Sequence, residues 1–449
     1  MPPDFDNLPT PDAAVQDAQM LVASGTLPLA TLVHPCTSQG RAQAKGSAGA
    51  AIAQSHSDRL CGLIRNEIEA SGGQITFARY MALALYAPGL GYYSAGSHKL
   101  GQAGDFVTAP ELSPLFSRCV ARQCQQVLTH LGDGDILEVG AGSGVMAADV
   151  LAELEALGCL PGHYFILEVS ADLRQRQQAT VAARAPHLAG RVYWLDTLPA
   201  AGFQGVVLAN ELLDAMPVHV FGVTASGLCE RYVGWAAPGI LPPATLVHPC
   251  TADGERFVWR DGPLSDARLA QRMAAIAQEQ GELMPGYISE INLAAEDWLR
   301  SIAVLLTRGM VLLIDYGFPR REYYHAQRSG GTLMCHYRHR AHPDPLILPG
   351  LQDITAHVDF TALAEVASAA GLAVAGFTTQ AYFLLSSGLH EMTAASDPDD
   401  VRQHLTLMQQ VKKLTLPSEM GELFKVMALT RGMDMPLLGF SFQGQRRRL

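Results

Sequence analysis

Apolar and polar positions alternate between two periods through the middle of the chain. A short apolar run at 135–139 is followed by glycines and then by a helical pattern over 145–157. A second strand is predicted at 164–169 and a second helix at 171–184, with further strands at 192–195, 206–209 and 310–315. Strand–helix alternation of this kind predicts a parallel sheet covered by helices on both faces, an α/β fold of Rossmann-like type. Residues 113–128, 264–280 and 291–306 also read as helices, and 424–429 as an antiparallel partner strand near the end. From Pro217 to about Pro285 the alternation breaks into short strands and prolines, which predicts an inserted lobe.

These patterns divide the chain into an extension at 1–57, a helical cofactor-covering segment at 58–130, and a cofactor-binding core at 131–216. The insertion follows at 217–288, and 289–449 completes the sheet and supplies a substrate lobe. The stretch 37–57 is rich in Ala, Gly, Ser and Gln and reads as a tether. The octapeptide Ala30-Thr31-Leu32-Val33-His34-Pro35-Cys36-Thr37 recurs as Ala244-Thr245-Leu246-Val247-His248-Pro249-Cys250-Thr251. Two copies so far apart have no solenoid period, and one His and one Cys per copy do not complete a tetrahedral site.

Composition narrows the chemistry. A length of 449 residues exceeds what one core usually organises, and 17% charged residues suit a globular enzyme. The net charge of -11 argues against general nucleic-acid binding and suits either simple solubility or a cationic substrate. Eight cysteines with no C-x-x-C pair predict neither a metal site nor a disulfide scaffold. No apolar run is long enough to span a bilayer, and the start resembles neither a secretory signal nor an Arg-rich presequence, so a cytoplasmic protein is expected.

The first predicted strand runs into Glu138-Val139-Gly140-Ala141-Gly142-Ser143-Gly144. Alternate glycines allow a sharp turn and close approach of a ligand to backbone. Alone, the loop indicates only a nucleotide-like ligand, and a nicotinamide dehydrogenase is one alternative. Its G-x-G-x-G spacing differs from the G-x-G-x-x-G of dinucleotide sites, where a helix N-terminus faces pyrophosphate. S-adenosyl-L-methionine has no phosphate and fits the different spacing. Glu138 is placed to take the cofactor's ammonium group. Glu168, at the end of the second strand, is placed for the ribose hydroxyls, and Asp196, after the third, for the adenine amino group. The segment Asn210-Glu211-Leu212-Leu213-Asp214 sits at the end of the fourth strand, where a transferable methyl group would project, although an Asn/Asp-rich turn would read similarly.

These residues and their flanking text resemble the MidA family, bacterial relatives of the mitochondrial complex I assembly methyltransferase. The resemblance runs from about Leu60 to about Arg431. It rests on Gly91-Tyr92-Tyr93, on Gly104-Asp105-Phe106-Val107-Thr108-Ala109-Pro110-Glu111 and on the glycine loop. Asn210–Asp214 by position, Asp315-Tyr316-Gly317, Gly331-Thr332-Leu333 and Asp353-Ile354-Thr355-Ala356-His357-Val358-Asp359-Phe360 complete the series.

The resemblance implies a seven-stranded class I methyltransferase fold with extra helices and an inserted lobe. It also implies methylation of a protein arginine, with a complex I subunit as the suggested partner and the oligomeric state open. On that footing Glu211 and Asp214 are the first candidates to hold a guanidinium through parallel hydrogen bonds. Asp315, Asp353 and His357 are second-line members, and either a strand cap or a buried histidine is the alternative for Asp315 and His357. Asp105, Thr108 and Phe106 are expected to cover the cofactor, with Asn210 beside it, and Tyr92 and Tyr93 to line the substrate channel. A small-molecule or RNA methyltransferase and a non-catalytic cofactor-binding assembly factor are the rival functions.

Overall fold

The computed structural model describes residues 44–95, 107–236, 256–338, 340–394, 396–397 and 399–449. Both copies of the octapeptide, most of the N-terminal extension, and Asp105 and Phe106 lie outside the described residues.

The core is a seven-stranded sheet whose strands are β2 (Asp135–Val139), β3 (Tyr164–Leu167), β4 (Val192–Leu195), β5 (Phe203–Asn210), β10 (Leu306–Phe318), β15 (Ala373–Thr379) and β16 (Phe424–Arg431). Their spatial order is β15-β16-β10-β5-β2-β3-β4. The five strands from β10 to β4 are parallel to their neighbours, whereas β16 runs antiparallel to both β10 and β15. The antiparallel partner strand expected near the end is therefore β16, with Asp315 opposite Lys425 in register. A short strand, β14 (Val358–Asp359), adds to the end of β10.

Helices cover both faces. Met310, Leu312 and Ile314 point to the side packed by Pro114–Leu131 and Val145–Ala156. Val311 and Leu313 point to the side packed by Leu293–Leu305 and Phe360–Ala369. Strand residues buried on both faces are what a covered parallel sheet requires, and they explain why this strand reads as an unbroken apolar run. Ser113 caps Pro114–Leu131, its side chain accepting from Leu115 N–H, with Pro114 in the first turn. Pro110 instead belongs to a separate one-turn helix, Ala109–Leu112.

The inserted lobe is a second, antiparallel sheet of β6 (His219–Thr224), β7 (Gly227–Ala236), β8 (Arg256–Gly262) and β9 (Ile288–Ile291). It also recruits β1 (Gln74–Thr76), which pairs with β7. The lobe sheet thus reaches beyond 217–288, taking one strand from the N-terminal segment and one from just past the insertion. A third sheet joins β11 (Met334–Tyr337), β12 (Arg340–His342) and β13 (Asp353–Thr355).

Candidate functional site

The site lies where the parallel strands end, as is usual for open α/β sheets. After β2 the chain turns through Gly140, Gly142 and Gly144, with φ of 72°, 52° and 80°. A side chain is excluded by space as well as by backbone. A Cβ on Gly140 would stand 2.9 Å from Leu212 Cδ1, and one on Gly144 would stand 2.8 Å from Gln177 Cα. Gln177 binds the loop further, donating from Nε2 to the Gly142 carbonyl at 3.1 Å and to Glu168 Oε2 at 2.9 Å.

Two buried acids flank the loop. Glu138 accepts the Tyr164 hydroxyl at 2.6 Å. Burial, opposed by that bond and reinforced by the charge of Glu168, pushes its carboxyl up to about 7. Glu168 accepts the Ser170 N–H at 2.9 Å, and burial raises its carboxyl too. Beside it Val169 is 60% exposed, a free apolar surface at the mouth of the sheet. Asp196 stands in solvent, paired with Arg174 at 2.7 Å, and Arg174 also donates to the carbonyls ending β3 and β4.

Beyond β5 the chain kinks at Glu211, whose φ of 52° is rare for a residue with a side chain. The turn is held from outside. Asp315 Oδ2, at the end of neighbouring β10, accepts the N–H groups of Leu212, Leu213 and Asp214 at 3.2, 2.8 and 3.3 Å. Its Oδ1 accepts the Tyr316 N–H at 2.8 Å. Both oxygens of Asp315 are therefore engaged by backbone, which makes it a support for the turn. Glu211 Oε1 accepts from Asn210 Nδ2 at 3.2 Å and from the Ala109 N–H at 3.4 Å.

Asp214 and Asn210 each bury an acceptor, Oδ1 in both, that has no hydrogen-bond partner. Asp353 accepts the Tyr93 hydroxyl at 2.9 Å, and Tyr93 stacks on Tyr86 at 5.5 Å. Tyr86 donates its hydroxyl to the Ala215 carbonyl at 2.9 Å.

The electrostatics of this group are one-sided. Burial and the charge of Asp315 push Glu211 up to about 8, and burial holds Asp315 at about 7 despite its backbone partners. Asp214 is raised well above the usual carboxylate range by burial, then by Asp315, Asp353 and Glu211. Glu211, Asp214 and Asp315 make no ion pair with any described lysine or arginine. Acidic groups crowd together here without a paired cation among the described residues.

His357 is not part of the group. Its ring lies parallel to Phe318 at 5.4 Å, and burial, with Arg328 and Lys425 nearby, lowers it to about 4. Thr108 caps Ala109–Leu112 through backbone alone, its side chain making no capping bond. That one-turn helix still reaches the site, since the Ala109 N–H donates to Glu211. Tyr86, Arg174 and Gln177 carry no signal of their own in the sequence. Gln177 sits at the spacing of an ordinary helix face, and only the fold brings it under the loop.

Over residues 119–378 the chain matches the family described as "Putative S-adenosyl-L-methionine-dependent methyltransferase". The chain belongs to this family. A COG1565 superfamily member from Burkholderia thailandensis bound to S-adenosyl-homocysteine is similar at 46% identity with a TM-score of 0.81, over 88% of this chain and 98% of that one. Among curated proteins, "Protein arginine methyltransferase NDUFAF7, mitochondrial" of Mus musculus is 26% identical over 426 residues, covering 88% of this chain and 89% of the relative. The Homo sapiens protein of the same name is 28% identical over 387 residues, 80% of each chain.

The fold is thus the class I α/β methyltransferase fold, the cofactor is S-adenosyl-L-methionine, and the protein is a methyltransferase. The residues present fit that cofactor: a glycine turn with no room for a Cβ at Gly140 or Gly144, a buried carboxylate just after β3, and an orphaned acceptor on Asn210. Among the described residues no helix is long and apolar enough to cross a membrane.

Proposed function

We propose that this methyltransferase transfers a methyl group to the guanidinium of a protein arginine, the activity named for its mitochondrial relatives. The observation that carries the reading is the pair of buried carboxyls of Glu211 and Asp214 on the Asn210–Asp214 turn, which make no ion pair with any described lysine or arginine. A neutral acceptor would give those acids nothing to bind, whereas a guanidinium offers a planar fork matched to carboxylates. The family resemblance makes a complex I subunit a candidate substrate.

In this reading Gly140, Gly142, Gly144, Glu138, Glu168 and Asn210 hold the cofactor, which supplies an electrophilic sulfonium methyl. Glu168 takes the ribose hydroxyls, Val169 backs the adenine, and Asn210 Oδ1 accepts an ammonium N–H. Thr108 lies on the covering side, and Asp196 lies at the adenine end. Glu211 and Asp214 grip two nitrogens of the guanidinium and turn the third toward the methyl. They also offset repulsion between two cations brought together. As the N–C bond forms and the S–C bond breaks, the attacking nitrogen loses a proton, and Glu211, with its raised affinity for protons, is placed to accept it. Asp315 acts only through the turn it holds. His357, kept neutral, lines the approach.

Labelled cofactor incubated with cell lysate and the full chain tests the reading. Label recovered as methylarginine in protein is expected; label confined to RNA or small solutes overturns it.

A further inference from the structure

Beside the acid group stands a second, oppositely charged one that the transfer itself does not use. Its centre is the Phe318 ring at the end of β10. Arg328 places its guanidinium carbon 4.1 Å over that ring, and Lys425 its Nζ at 5.2 Å from it. Arg328 forms no ion pair with any described acid, and its Nη1 is shut from solvent without a hydrogen-bond partner. An arginine so placed is unusual, because buried charged donors are normally satisfied.

Lys425 is buried beneath, donating to the carbonyls of Glu422 and Leu423. Burial draws its ammonium down to about 8. Glu322, the acid acting most strongly on Lys425, is already paired with Arg448. Glu290, on the other side, is engaged by Thr332 and Tyr323. Glu422 also acts on Lys425 but forms no ion pair with Arg328, which is left unpaired by any described acid with a second positive charge across the same ring.

The two groups are neighbours through His357. Its ring is 5.4 Å from Phe318 and 6.2 Å from Tyr316, whose hydroxyl lies in the field of Glu211, Asp214, Asp315 and Asp353. The two steps place the Phe318 and Tyr316 rings within about 12 Å of each other, a span that a short stretch of extended peptide covers.

We propose that Arg328, backed by Lys425, is a carboxylate-binding subsite that reads an acidic side chain flanking the target arginine. The proposal rests on the protein-arginine reading above and sharpens its substrate class: an arginine paired in sequence with Asp or Glu. An acid pocket alone accepts any cation. A cationic contact at a fixed distance adds register, because a peptide bound in the wrong frame sets like charges against each other.

The test uses the full chain, S-adenosyl-L-methionine and short peptides with one central arginine and an amidated C-terminus. Glu or Gln occupies each flanking position in turn. The Glu peptide of the matching position is expected to show a KM roughly tenfold lower with kcat little changed, the order of one charge-assisted hydrogen bond. Arg328→Gln should erase that preference while leaving cofactor binding intact, and Arg328→Glu should transfer it to the peptide with Lys at that position. Transfer indifferent to the flanking charge, or a preference unchanged in both variants, overturns the subsite. A preference seen only when the C-terminal carboxylate is left free overturns the side-chain assignment as well. Absence of methyl transfer to every peptide overturns the arginine reading itself, a separate failure.

Discussion

Asp315 accepts the backbone N–H of Leu213 at 2.8 Å across 102 positions of sequence. That bond and its two flanking ones tie the end of β10 to the turn after β5, which carries Glu211 and Asp214. The carboxylates proposed to grip the substrate are therefore aimed by an acid that does not face it.

Replacing Asp315 with Asn leaves one oxygen where two serve four N–H groups. A buried unsatisfied donor costs about 1–3 kcal/mol, which denaturant unfolding should register. A displaced turn should lower kcat by on the order of a hundredfold, since misplacement near 1 Å has that effect. Cofactor affinity by calorimetry should change far less; an unchanged kcat would remove Asp315 from the positioning role.

Glu211 sets a pH dependence. Its carboxyl titrates at about 8 because burial and Asp315 oppose ionisation, and the ionised form is the one proposed to bind and take the proton. In the free enzyme kcat/KM should therefore rise with pH through that value. Glu211→Gln should lower kcat/KM steeply and abolish the limb. Persistence of the same limb in the variant would assign it elsewhere.

The same raised values act on stability with a definite sign. Glu211 at about 8, and Glu138 and Asp315 at about 7, bind protons more tightly when folded than when unfolded. Stability from these groups is greatest in acid near their unfolded values. It declines as pH rises from the ordinary carboxylate range and levels off above about 8. Calorimetric Tm between these limits should fall less in Glu211→Gln than in the parent, and an equal slope in both would contradict the assignment.

At the cofactor loop, Gly144→Ala puts a methyl 2.8 Å from Gln177 Cα on a backbone at φ 80°. Strain of about 1–3 kcal/mol is expected, with weakened cofactor binding because Gln177 also anchors Gly142 and Glu168. Thermal shift with and without S-adenosyl-L-methionine measures both effects. Parent-like stabilisation by the cofactor would show that the loop tolerates the change.

Glu168→Gln should raise the KM for the cofactor by roughly ten- to a hundredfold while leaving peptide KM unaltered, as loss of a charged hydrogen-bond acceptor predicts. A change confined to peptide KM would place this acid outside the cofactor site.

Much of the sheet was legible in the chain. β2, β4 and the helix Ala171–Arg184 fall on their expected bounds, because short apolar runs framed by glycines and polar caps leave little choice. The glycine loop and the Asn210–Asp214 turn were readable because their chemistry is local. What escaped the sequence is long-range. Nothing near Asp315 indicates that its oxygens go to three amides 101 to 103 positions away. Likewise Gln177 looks like a solvated helix residue, and β9, which ends where the helix expected at 291–306 begins, shows no strand signal until β6 offers it a partner. His357 stands close in sequence to Asp353 yet faces Phe318, because β14 begins at the next residue and pairs with the end of β10.

The pairing of β1 with β7 joins Thr76 to Tyr232 and orders synthesis against assembly. A ribosome releases β1 long before its partner exists, so the helices preceding and following it must wait, with their apolar faces uncovered, for the inserted lobe to emerge. Contacts of such sequence separation form late and slowly. The earliest described part of this enzyme to be made is thus among the last to be secured, and its exposure in the interval falls to chaperones.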